Sequence, residues 1–530
     1  MKKSLFFLLL PLGGVLTALT LILPQIGFLE WITLTPALLY LFGRAERTET
    51  RYRHWYLLGF LYYFSFFFTV FHWFLRLYPM EFADVSKGEA ALLVAICWVG
   101  LSLLQSFFAA FSFPLFAFLC RHPVVKRAPL LTPFLFAAVY TAFEWGQTLF
   151  WYGVPWARLP LGQANCGLLW NSASLFGSYL LTFALVAVNG LVAYAVLHLD
   201  RVRVAAISAA AVFLFNAVSG CIGYFTADVA SGEGIVVAAV QGNVGSSDKW
   251  SADSTRKSYE IYERYTKEAA ERGAKLVVFP ETFIPYHITA ESALGKYITG
   301  LAATYRITVM CGAFDTAEDG ASANAVFLAF PDGTLSETVY YKRHLVPFGE
   351  YVPMRALVEI LVPPLADIGM LSDDLATGKD TAIFHTPFGD IGTLICFDSI
   401  YETLTLASVR DGAELICLPT NDSWFLDSAA AYMHHAQARL RAIESGRYIL
   451  RAADTGISSV IAPDGSVEAE LAPLTEGVSI ATVYPTTART LYSYIGNTFV
   501  YLLLTALTVL FFHRVWLKYQ KKKESENESA

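Results

Sequence analysis

The sequence predicts a multi-pass α-helical membrane bundle joined to a large α/β domain, from its composition and the distribution of its apolar runs. Of 530 residues, 55% are hydrophobic and only 16% are charged, which is too apolar for an ordinary soluble protein. The long apolar runs are confined to residues 1–223 and 497–517. The stretch between them has the composition of a soluble domain and is long enough to bury its own core.

We therefore divide the chain into four parts. Residues 1–223 are predicted to form an N-terminal transmembrane bundle of about seven spans, and residues 494–518 one C-terminal transmembrane helix, giving about eight spans in all. Residues 224–493 form the predicted α/β domain. Residues 519–530 are a basic and polar tail.

The first apolar run directly follows Lys2 and Lys3. It lacks a clear small-residue cleavage site, so we interpret it as a retained span rather than a signal peptide. The other runs before the α/β domain are close to the roughly 20 residues that cross a bilayer. They cover residues 26–42, 56–78, 90–119, 130–149, 175–197 and 204–223.

Basic residues cluster on alternate connections between the predicted spans. Since Lys and Arg concentrate in cytoplasmic loops, we expect these connections and both chain termini to be cytoplasmic. The α/β domain is then expected on the outer side of the membrane. The basic clusters are residues 2–3, 44–53, 121–127, 200–203 and 518–523.

Two features inside the apolar region are unusual. Glu144 lies within a predicted span, where an ionisable side chain marks either a functional site or a pairing with a neighbouring helix. Residues 150–170 are rich in Trp, Pro and Gly, too broken for a span and too apolar for a free loop. We interpret them as an interfacial or re-entrant segment lining a lipid-facing opening, with an aromatic belt as the alternative.

Strand-like and helix-like segments alternate within residues 224–493, which is typical of layered strands and helices. The segment DIGTLICFDSIYE at 390–402 places Cys396 at the end of a predicted strand, where α/β proteins hold reactive groups. Other predicted strands cover residues 234–241, 275–279, 307–314, 325–330, 414–418, 448–452 and 458–462, and predicted helices cover residues 254–272 and 428–445.

Charge and cysteine spacing exclude several classes of protein. The net charge of −7 argues against nucleic-acid binding. Seven cysteines occur without CxxC or His/Cys ligand spacing, which indicates neither a zinc site nor a disulfide scaffold. His434 and His435 lie in a predicted helix without a ligand partner at suitable spacing. We expect no metal and no cofactor.

Glu281, Lys342 and Cys396 occupy comparable positions in the α/β pattern. Taken singly, a Cys in an apolar stretch is usually a small buried hydrophobic residue, and a Glu or Lys after a strand is usually solvated. Taken together, a carboxylate can accept the thiol proton, while an ammonium group stabilises the thiolate and the oxyanion. The three residues therefore suit acyl transfer through a thioester.

The motifs around these residues resemble the nitrilase superfamily and, within it, the apolipoprotein N-acyltransferases. They are VQGNVGSSDKW at 240–250, FPET at 279–282, KRHLVPFGEYVP at 342–353, ICFDS at 395–399 and NDSWF at 421–425. With the flanking apolar runs, the resemblance covers essentially the whole chain. It implies a four-layer αββα sandwich for the α/β domain.

The resemblance also implies roles for individual residues. Glu281 corresponds to a general base, Lys342 to the stabiliser of the oxyanion and thiolate, and Cys396 to the nucleophile. Glu350 corresponds to a second acid that supports the site, and Trp250 to an aromatic residue near its entrance.

Further positions around the nucleophile complete this expectation. The amide N–H of Phe397 would complete an oxyanion hole, and Asn421, Asp422 and Trp424 are expected to shape the pocket wall. The family often has Cys-Tyr-Glu where this chain has Cys-Phe397-Asp398. A carboxylate role can survive at Asp398 with one methylene fewer, whereas a phenol hydroxyl is missing at Phe397. His344 is interpreted as structural.

The activity that the resemblance implies is ping-pong transfer of a fatty acyl chain from a membrane phospholipid, through a thioester, to the N-terminal amine of a diacylglyceryl-cysteine apolipoprotein. We expect a monomer in the bacterial inner membrane, with the catalytic domain on the periplasmic side. Two alternatives stay open. One is a membrane-tethered nitrilase-type amidase in which water resolves the thioester, and the other is a non-enzymatic transporter or receptor.

Overall fold

The computed structural model describes residues 7–45, 51–80, 85–150, 153–245, 249, 251–318, 320–361 and 373–529. The chain divides into two compact units. The first comprises Met1–His72, Trp98–Ile222 and Ile495–Ala530, and the second comprises Trp73–Cys97 and Gly223–Tyr494. Within the described residues, every β-strand belongs to the second unit.

The apolar regions are helical, because a chain in hydrocarbon must satisfy its backbone hydrogen bonds internally. Their α-helices are Leu9–Ile22, Glu30–Thr33, Thr35–Ala45, Tyr52–Val70, Lys87–Ala109, Ser112–Leu119, Pro123–Arg127, Leu131–Gly146, Gly167–Trp170, Ala173–Phe176, Ser178–Leu197, Val202–Thr226, Leu491–Ile495 and Thr498–Ser529. Short 3-10 helices cover Pro24–Leu29, Phe71–Leu77, Leu159–Gln163 and Leu199–Arg201.

The prediction of a multi-pass helical part is confirmed, with a difference in the number of full-length spans. In the described part of the chain, 6 helical stretches are long and apolar enough to cross a membrane. They are Pro24–Ala45, Tyr52–Leu77, Lys87–Leu119, Ser178–Leu197, Leu199–Thr226 and Thr498–Glu528. The first and fifth predicted spans correspond to shorter helices, Leu9–Ile22 with 14 residues and Leu131–Gly146 with 16. The last helix continues through the basic residues that we assigned to a tail.

Polar side chains fix the irregular part of the first unit. Glu144 accepts hydrogen bonds from the backbone N–H of Leu159 and the hydroxyl of Thr182, at 2.9 and 2.5 Å. Gln163 donates to the carboxylate of Glu30 at 2.8 Å. Residues 155–164 are buried in the first unit, so this part of the segment is core and not the lining of a lipid-facing opening. Glu144 thus matches the pairing interpretation of its position.

The second unit contains two six-stranded sheets. The first sheet has the order β12-β1-β2-β3-β4-β5 and the second has the order β11-β10-β9-β8-β7-β6. The strands are β1 Ile235–Gln241, β2 Leu276–Val278, β3 Thr308–Thr316, β4 Ser322–Ala329, β5 Tyr340–Tyr341, β6 Ile383–Thr386, β7 Gly389–Thr393, β8 Leu415–Thr420, β9 Ile449–Ala453, β10 Ser458–Ile461, β11 Val467–Leu471 and β12 Gly477–Val483.

Helices cover the outer faces of both sheets, which gives the expected αββα order. Alternate residues of β1 show how the layers form: Val237 belongs to the core between the sheets, whereas Val240 packs with the helices outside the first sheet. Burial on both faces explains why this strand reads as a continuous apolar run. The helices of this unit are Ala252–Glu271, Ala293–Tyr305, Arg355–Leu361, Glu402–Arg410 and Ala429–Ser445, with a 3-10 turn at Cys396–Ile400.

The predicted strands and helices of this unit agree with the observed ones to within a few residues. Helix Ala429–Ser445 begins after Ser428, whose side chain accepts a hydrogen bond from the N–H of Ala430, and ends at Gly446 in the left-handed conformation. The elements that were not predicted are helices Ala293–Tyr305, Arg355–Leu361 and Glu402–Arg410 and strands β5, β6, β11 and β12. Strand β11 alternates exposed Glu side chains with half-buried residues, and the buried positions of β12 are interrupted by half-buried ones. Both patterns are weaker signals than a continuous apolar run.

Candidate active site

Two catalytic candidates lie just beyond strands of the first sheet. Glu281 follows β2, and Lys342 follows β5, where its backbone N–H donates to the carbonyl of Asn324 at 2.9 Å. β3 approaches Glu281 closely because residue 312 is glycine. A Cβ at Gly312 would lie 2.7 Å from the Cα of Glu281, so a larger residue would displace the acid.

Lys342 is buried between two carboxylates. Its Nζ lies 2.8 Å from Oε1 of Glu281 and 2.8 Å from Oε1 of Glu350. Burial by itself would lower the pKa of Lys342, but the two carboxylates outweigh burial and hold that pKa well above its usual value. The ammonium group is therefore charged throughout the physiological pH range. A fixed cation of this kind can stabilise a developing oxyanion.

Asn324 of β4 links the same two acids and was missed from the sequence. Its Nδ2 donates to Oε1 of Glu281 at 2.6 Å and to Oε1 of Glu350 at 2.9 Å. The second oxygen of Glu350 accepts the backbone N–H of Val346 at 2.8 Å. An asparagine inside a strand carries no catalytic signal, so only the pairing of β3 with β4 reveals its position.

Cys396 starts the 3-10 turn that follows β7. Its backbone has φ of 48°, the left-handed region that a side chain with a Cβ rarely adopts. Its Sγ lies 3.8 Å from the backbone oxygen of Asn421. Burial and the charge of Glu281 raise the pKa of the Cys396 thiol well above its usual value, whereas Lys342 acts in the opposite direction. The thiol therefore needs a base to become a nucleophile. Glu281 is the carboxylate whose charge raises the pKa of the thiol most.

Asp398 holds this turn in place. Its Oδ2 accepts the hydroxyl of Tyr340 at 2.8 Å and the N–H of Ile395 at 3.1 Å. Its Oδ1 accepts the backbone N–H groups of Arg343 and His344 at 3.2 and 2.8 Å. Burial raises the pKa of Asp398 to about 6, even though Lys342 and these donors oppose the shift. Its carboxylate thus links the turn to the loop that follows Lys342.

The remaining predicted site residues lie around this cluster. Phe397 packs edge to face on Tyr401, with ring centroids 5.8 Å apart, and its backbone N–H has no hydrogen-bond partner among the described residues. Asn421 uses its side-chain oxygen to bind Ser423. Trp424 is partly exposed in the loop after β8. Trp250 lies outside the described residues.

Lys249 is a second buried cation that sequence reasoning missed, although it lies within the VQGNVGSSDKW motif. It forms an ion pair with the buried carboxylate of Asp454. Its Nζ also donates to the backbone oxygens of Glu281 and Thr282, at 3.3 and 3.1 Å. Lys249 therefore supports the backbone that carries the candidate base.

His344 and His434 differ in their relation to the nucleophile. His344 stacks on Tyr401 at 3.9 Å between ring centroids, in agreement with a structural role. His434, for which the sequence offered no partner, has Asp422 2.8 Å from its Nδ1. Donor atoms of Cys396, Asp422 and His434 lie within 4.8 Å of one another. Arg451 already pairs with Asp422 at 2.6 Å, and this guanidinium supplies the positive charge that a metal ion would bring.

Comparisons with known proteins cover both units. Residues 13–191 match the model of the apolipoprotein N-acyltransferase N-terminal domain, and residues 236–492 match the carbon-nitrogen hydrolase model. About half of the chain is also similar to the crystal structure of Saccharomyces cerevisiae Nit3, a member of the nitrilase superfamily. That similarity has 22% identity and a TM-score of 0.39, and covers 51% of this chain and 96% of Nit3.

Full-length relatives identify the family. The chain is 32% identical to an apolipoprotein N-acyltransferase from Gloeobacter violaceus, over 88% of this chain and 85% of the relative. It is 30% identical to one from Geobacter metallireducens, over 93% of this chain and 92% of the relative. Together with the apolar helices, these bacterial relatives indicate a bacterial membrane protein. The chain belongs to the apolipoprotein N-acyltransferase family.

Proposed function

We propose that this protein transfers a fatty acyl chain from a membrane phospholipid to the N-terminal amine of a diacylglyceryl-cysteine apolipoprotein, through a thioester on Cys396. The observation that carries the proposal is the cluster of Glu281, Lys342 and Glu350, in which the charges of Glu281 and Lys342 act on the Cys396 thiol. The names of the relatives supply the reaction class and the apolipoprotein acceptor, and the family resemblance implies the phospholipid donor. The apolar helices support it further, because both substrates carry acyl chains that stay in the bilayer.

In the first half-reaction, the Cys396 thiol attacks the carbonyl carbon of a phospholipid ester while Glu281 accepts the thiol proton. Lys342 and the N–H of Phe397 stabilise the oxyanion that forms. The intermediate collapses by breaking the bond to the glycerol oxygen, which takes the proton from Glu281. A lysophospholipid leaves, and the acyl group stays on sulfur.

In the second half-reaction, the apolipoprotein amine attacks the thioester carbonyl and gives a proton to Glu281. Collapse of the intermediate breaks the carbon–sulfur bond, and the thiolate regains the proton. The products are an amide and free Cys396, so the two half-reactions balance without an added oxidant or cofactor. Glu350 and Asn324 hold Lys342 and Glu281 in place during both steps.

We further propose that the second unit lies on the periplasmic side of the inner membrane, with both termini in the cytoplasm. The alternate placing of basic clusters along the chain supports this orientation. We also propose that the protein acts as a monomer. Accessibility of an introduced surface cysteine, such as Glu337→Cys, to a membrane-impermeant maleimide tests the orientation. Labelling only after the inner membrane is opened would contradict it.

Intact-protein mass spectrometry tests the thioester. Purified protein is incubated with a phospholipid of one defined acyl chain, and the wild type should gain the mass of that acyl group. Cys396→Ala should gain none, whereas the matched control Cys221→Ala should behave like the wild type. Absence of the adduct on the wild type would overturn the mechanism.

A diacylated lipopeptide then distinguishes the acyl acceptors. Appearance of N-acyl peptide with loss of the adduct supports the transferase. Release of free fatty acid instead would favour the hydrolase alternative, in which water resolves the thioester. That alternative draws on the match of residues 236–492 to the carbon-nitrogen hydrolase model.

A further inference from the structure

The candidate base and the candidate nucleophile belong to different sheets. Glu281 follows β2 of the first sheet, whereas Cys396 follows β7 of the second. Hydrogen bonds between strands fix positions within one sheet. The distance between these two residues is therefore set by contacts that cross from one sheet to the other. Since a displacement of about 1 Å can cost about 10²-fold in rate, such contacts matter for the proposed reaction.

Three residues of the VQGNVGSSDKW motif make contacts of this kind. Gln241, the last residue of β1, accepts the backbone N–H of Ser458 in β10 at 2.9 Å. The backbone N–H of Asn243 donates to the carbonyl of Asp454 at 2.8 Å. Lys249 forms an ion pair with the carboxylate of the same Asp454, which directly follows β9. The motif therefore links the end of the first sheet to the end of the second.

Lys249 also holds the turn that carries the candidate base. Its Nζ donates to the backbone oxygens of Glu281 and Thr282, at 3.3 and 3.1 Å. Thr282 has φ of 40°, in the left-handed region that a β-branched residue rarely adopts. A conformation of this kind persists only when its surroundings hold it. Lys249 supplies part of that support from a side chain that is 3% exposed.

Asp454 continues the link toward the nucleophile. Its backbone N–H donates to the carbonyl of Thr420, the last residue of β8, at 3.2 Å. The next residue, Asn421, has its backbone oxygen 3.8 Å from the Sγ of Cys396. A continuous series of contacts thus joins the backbone of the base, the pair of Lys249 and Asp454, and the residue beside the thiol.

We propose that Lys249, together with Asp454, is a positioning residue that sets the placement of Glu281 relative to Cys396 across the two sheets. The inference rests on the proposed function, in which Glu281 accepts the thiol proton of Cys396. Lys249 acts through the backbone of Glu281 and not on the substrate. Lys342 differs in this respect, because it contacts the carboxylate of the base directly.

Two variants separate positioning from stability. Lys249→Met removes the donors of Nζ, keeps a side chain of similar length, and leaves the buried Asp454 without its partner. The double variant Lys249→Met/Asp454→Leu removes both members of the pair. Replacing a buried ion pair by apolar residues often leaves stability unchanged or raises it. The double variant should therefore melt close to the wild type or higher, although the two backbone oxygens still lack their donor.

Single-turnover mass spectrometry with a phospholipid of one defined acyl chain measures the rate constant and the final amount of acyl adduct. We expect the rate constant to fall about 10²-fold in both variants. A loss of folded protein would instead lower the final amount at an unchanged rate constant. Lys296→Met is the control, since this exposed lysine pairs with Glu291 at 3.2 Å and should behave like the wild type. A folded double variant with the wild-type rate constant would overturn the proposal.

Hydrogen exchange gives a readout that needs no substrate. The N–H of Phe283 donates to the carbonyl of Gly312, and the N–H of Gly312 to the carbonyl of Pro280, both at 3.2 Å. Peptides that cover this turn should exchange about tenfold faster in the double variant, whereas those of helix Ala293–Tyr305 should match the wild type. Unchanged exchange of the turn would also overturn the proposal. If the turn exchanges faster but the wild type forms no acyl adduct, the proposed function fails and the support by Lys249 stands.

Discussion

Asn324 and Lys342 together hold the two acids of the candidate site. Asn324 donates to Glu281 and Glu350 with one amide nitrogen, and Lys342 binds the same pair of oxygens. Two carboxylates so close together repel each other unless donors separate their charges. The asparagine therefore contributes to the placement of the base as directly as the lysine does.

Replacing Asn324 with Leu should slow acyl-adduct formation about 10²-fold, the usual effect of losing one preorganised donor in an active site. The variant should remain folded, because Leu has a similar volume. Single-turnover mass spectrometry with a phospholipid checks the rate. Asn243→Ala serves as control, since that side chain donates to the backbone oxygen of Leu474 at the surface. A rate within twofold of the wild type would refute the role of Asn324.

His344 gives the protein a pH dependence of stability. Burial and then the charge of Arg343 lower its pKa to about 4, whereas an unfolded histidine titrates near 6.5. Between these values the unfolded chain binds more protons, so stability falls as pH falls from about 6.5 to about 4. His344→Phe keeps a ring against Tyr401. Its melting temperature should fall less over this pH range than that of the wild type. If the melting temperatures of the wild type and His344→Phe fall by the same amount from pH 7 to pH 4, the expectation is contradicted.

The nucleophile turn is an element whose form is set by its contacts and not by its sequence. Apolar residues predict a strand up to Cys396, but strand β7 ends at Thr393 and a 3-10 turn follows. Asp398 supplies the acceptors for this turn and for the loop after Lys342. Asp398, one methylene shorter than the Glu that the family often has, thus anchors the turn. Phe397 lacks the hydroxyl of the corresponding Tyr and contributes only ring packing.

Replacing Asp398 with Ala should destabilise the second unit by about 3 kcal/mol, because several buried donors lose their acceptor at once. Cys396 should also become more accessible to iodoacetamide as the turn loosens. Thermal unfolding in detergent and the alkylation rate measure the two effects. Asp390→Ala is the control, since its carboxylate contacts only the exposed side chain of His385 at 2.8 Å among the side chains described. Equal stability of the two variants would contradict the prediction.

The left-handed backbone of Cys396 can be tested in inactive protein. Cys396→Gly and Cys396→Ala both lack the thiol, but only Ala keeps a Cβ at φ of 48°. The Gly variant should be more stable by about 1 kcal/mol, since glycine adopts this conformation without strain. Melting temperatures measured side by side check the order. A more stable Ala variant would show that the turn changes conformation when the sulfur is removed.

At the scale of the whole molecule, the two units rely on different polar interactions. The first unit buries Glu144 against Leu159 and Thr182, which anchors an irregular segment inside a helical core. The second unit buries Glu281, Lys342 and Asp398 in the candidate active site. The described residues that form the candidate active site all belong to the second unit.

Glu144→Ala should therefore affect folding and not the chemistry of the thiol. Loss of a buried acceptor costs about 1–3 kcal/mol per donor left unpaired, so we expect a lower melting temperature and a lower yield of folded protein. The pH profile of Cys396 alkylation in the folded fraction should match the wild type. Thr148→Ala, a partly buried hydroxyl that donates to the carbonyl of Trp145, is the control. A shifted profile in Glu144→Ala would contradict this separation.

The sequence by itself determined the division into apolar and soluble regions, the multi-pass helices and most strands of the two sheets. These features depend on the burial of contiguous residues, which composition and periodicity report directly. The motifs also indicated Glu281, Lys342 and Cys396, whose grouping around one thiol stays a proposal until it is tested. The sequence did not show that two of the predicted spans are short helices, because an apolar run can extend beyond the helix that it forms.

Only the tertiary structure placed Asn324, Lys249 and His434 beside these residues. Asn324 is 43 residues from Glu281 in the chain, and it reaches the acid because β4 pairs with β3 in one register. His434 is 38 residues from Cys396 and reaches its carbonyl from a helix that packs on the second sheet. Polar contacts of this kind depend on register and packing between distant segments. A local sequence pattern does not predict such contacts. It indicates which face of a helix or strand is buried, but not which residues pack against that face.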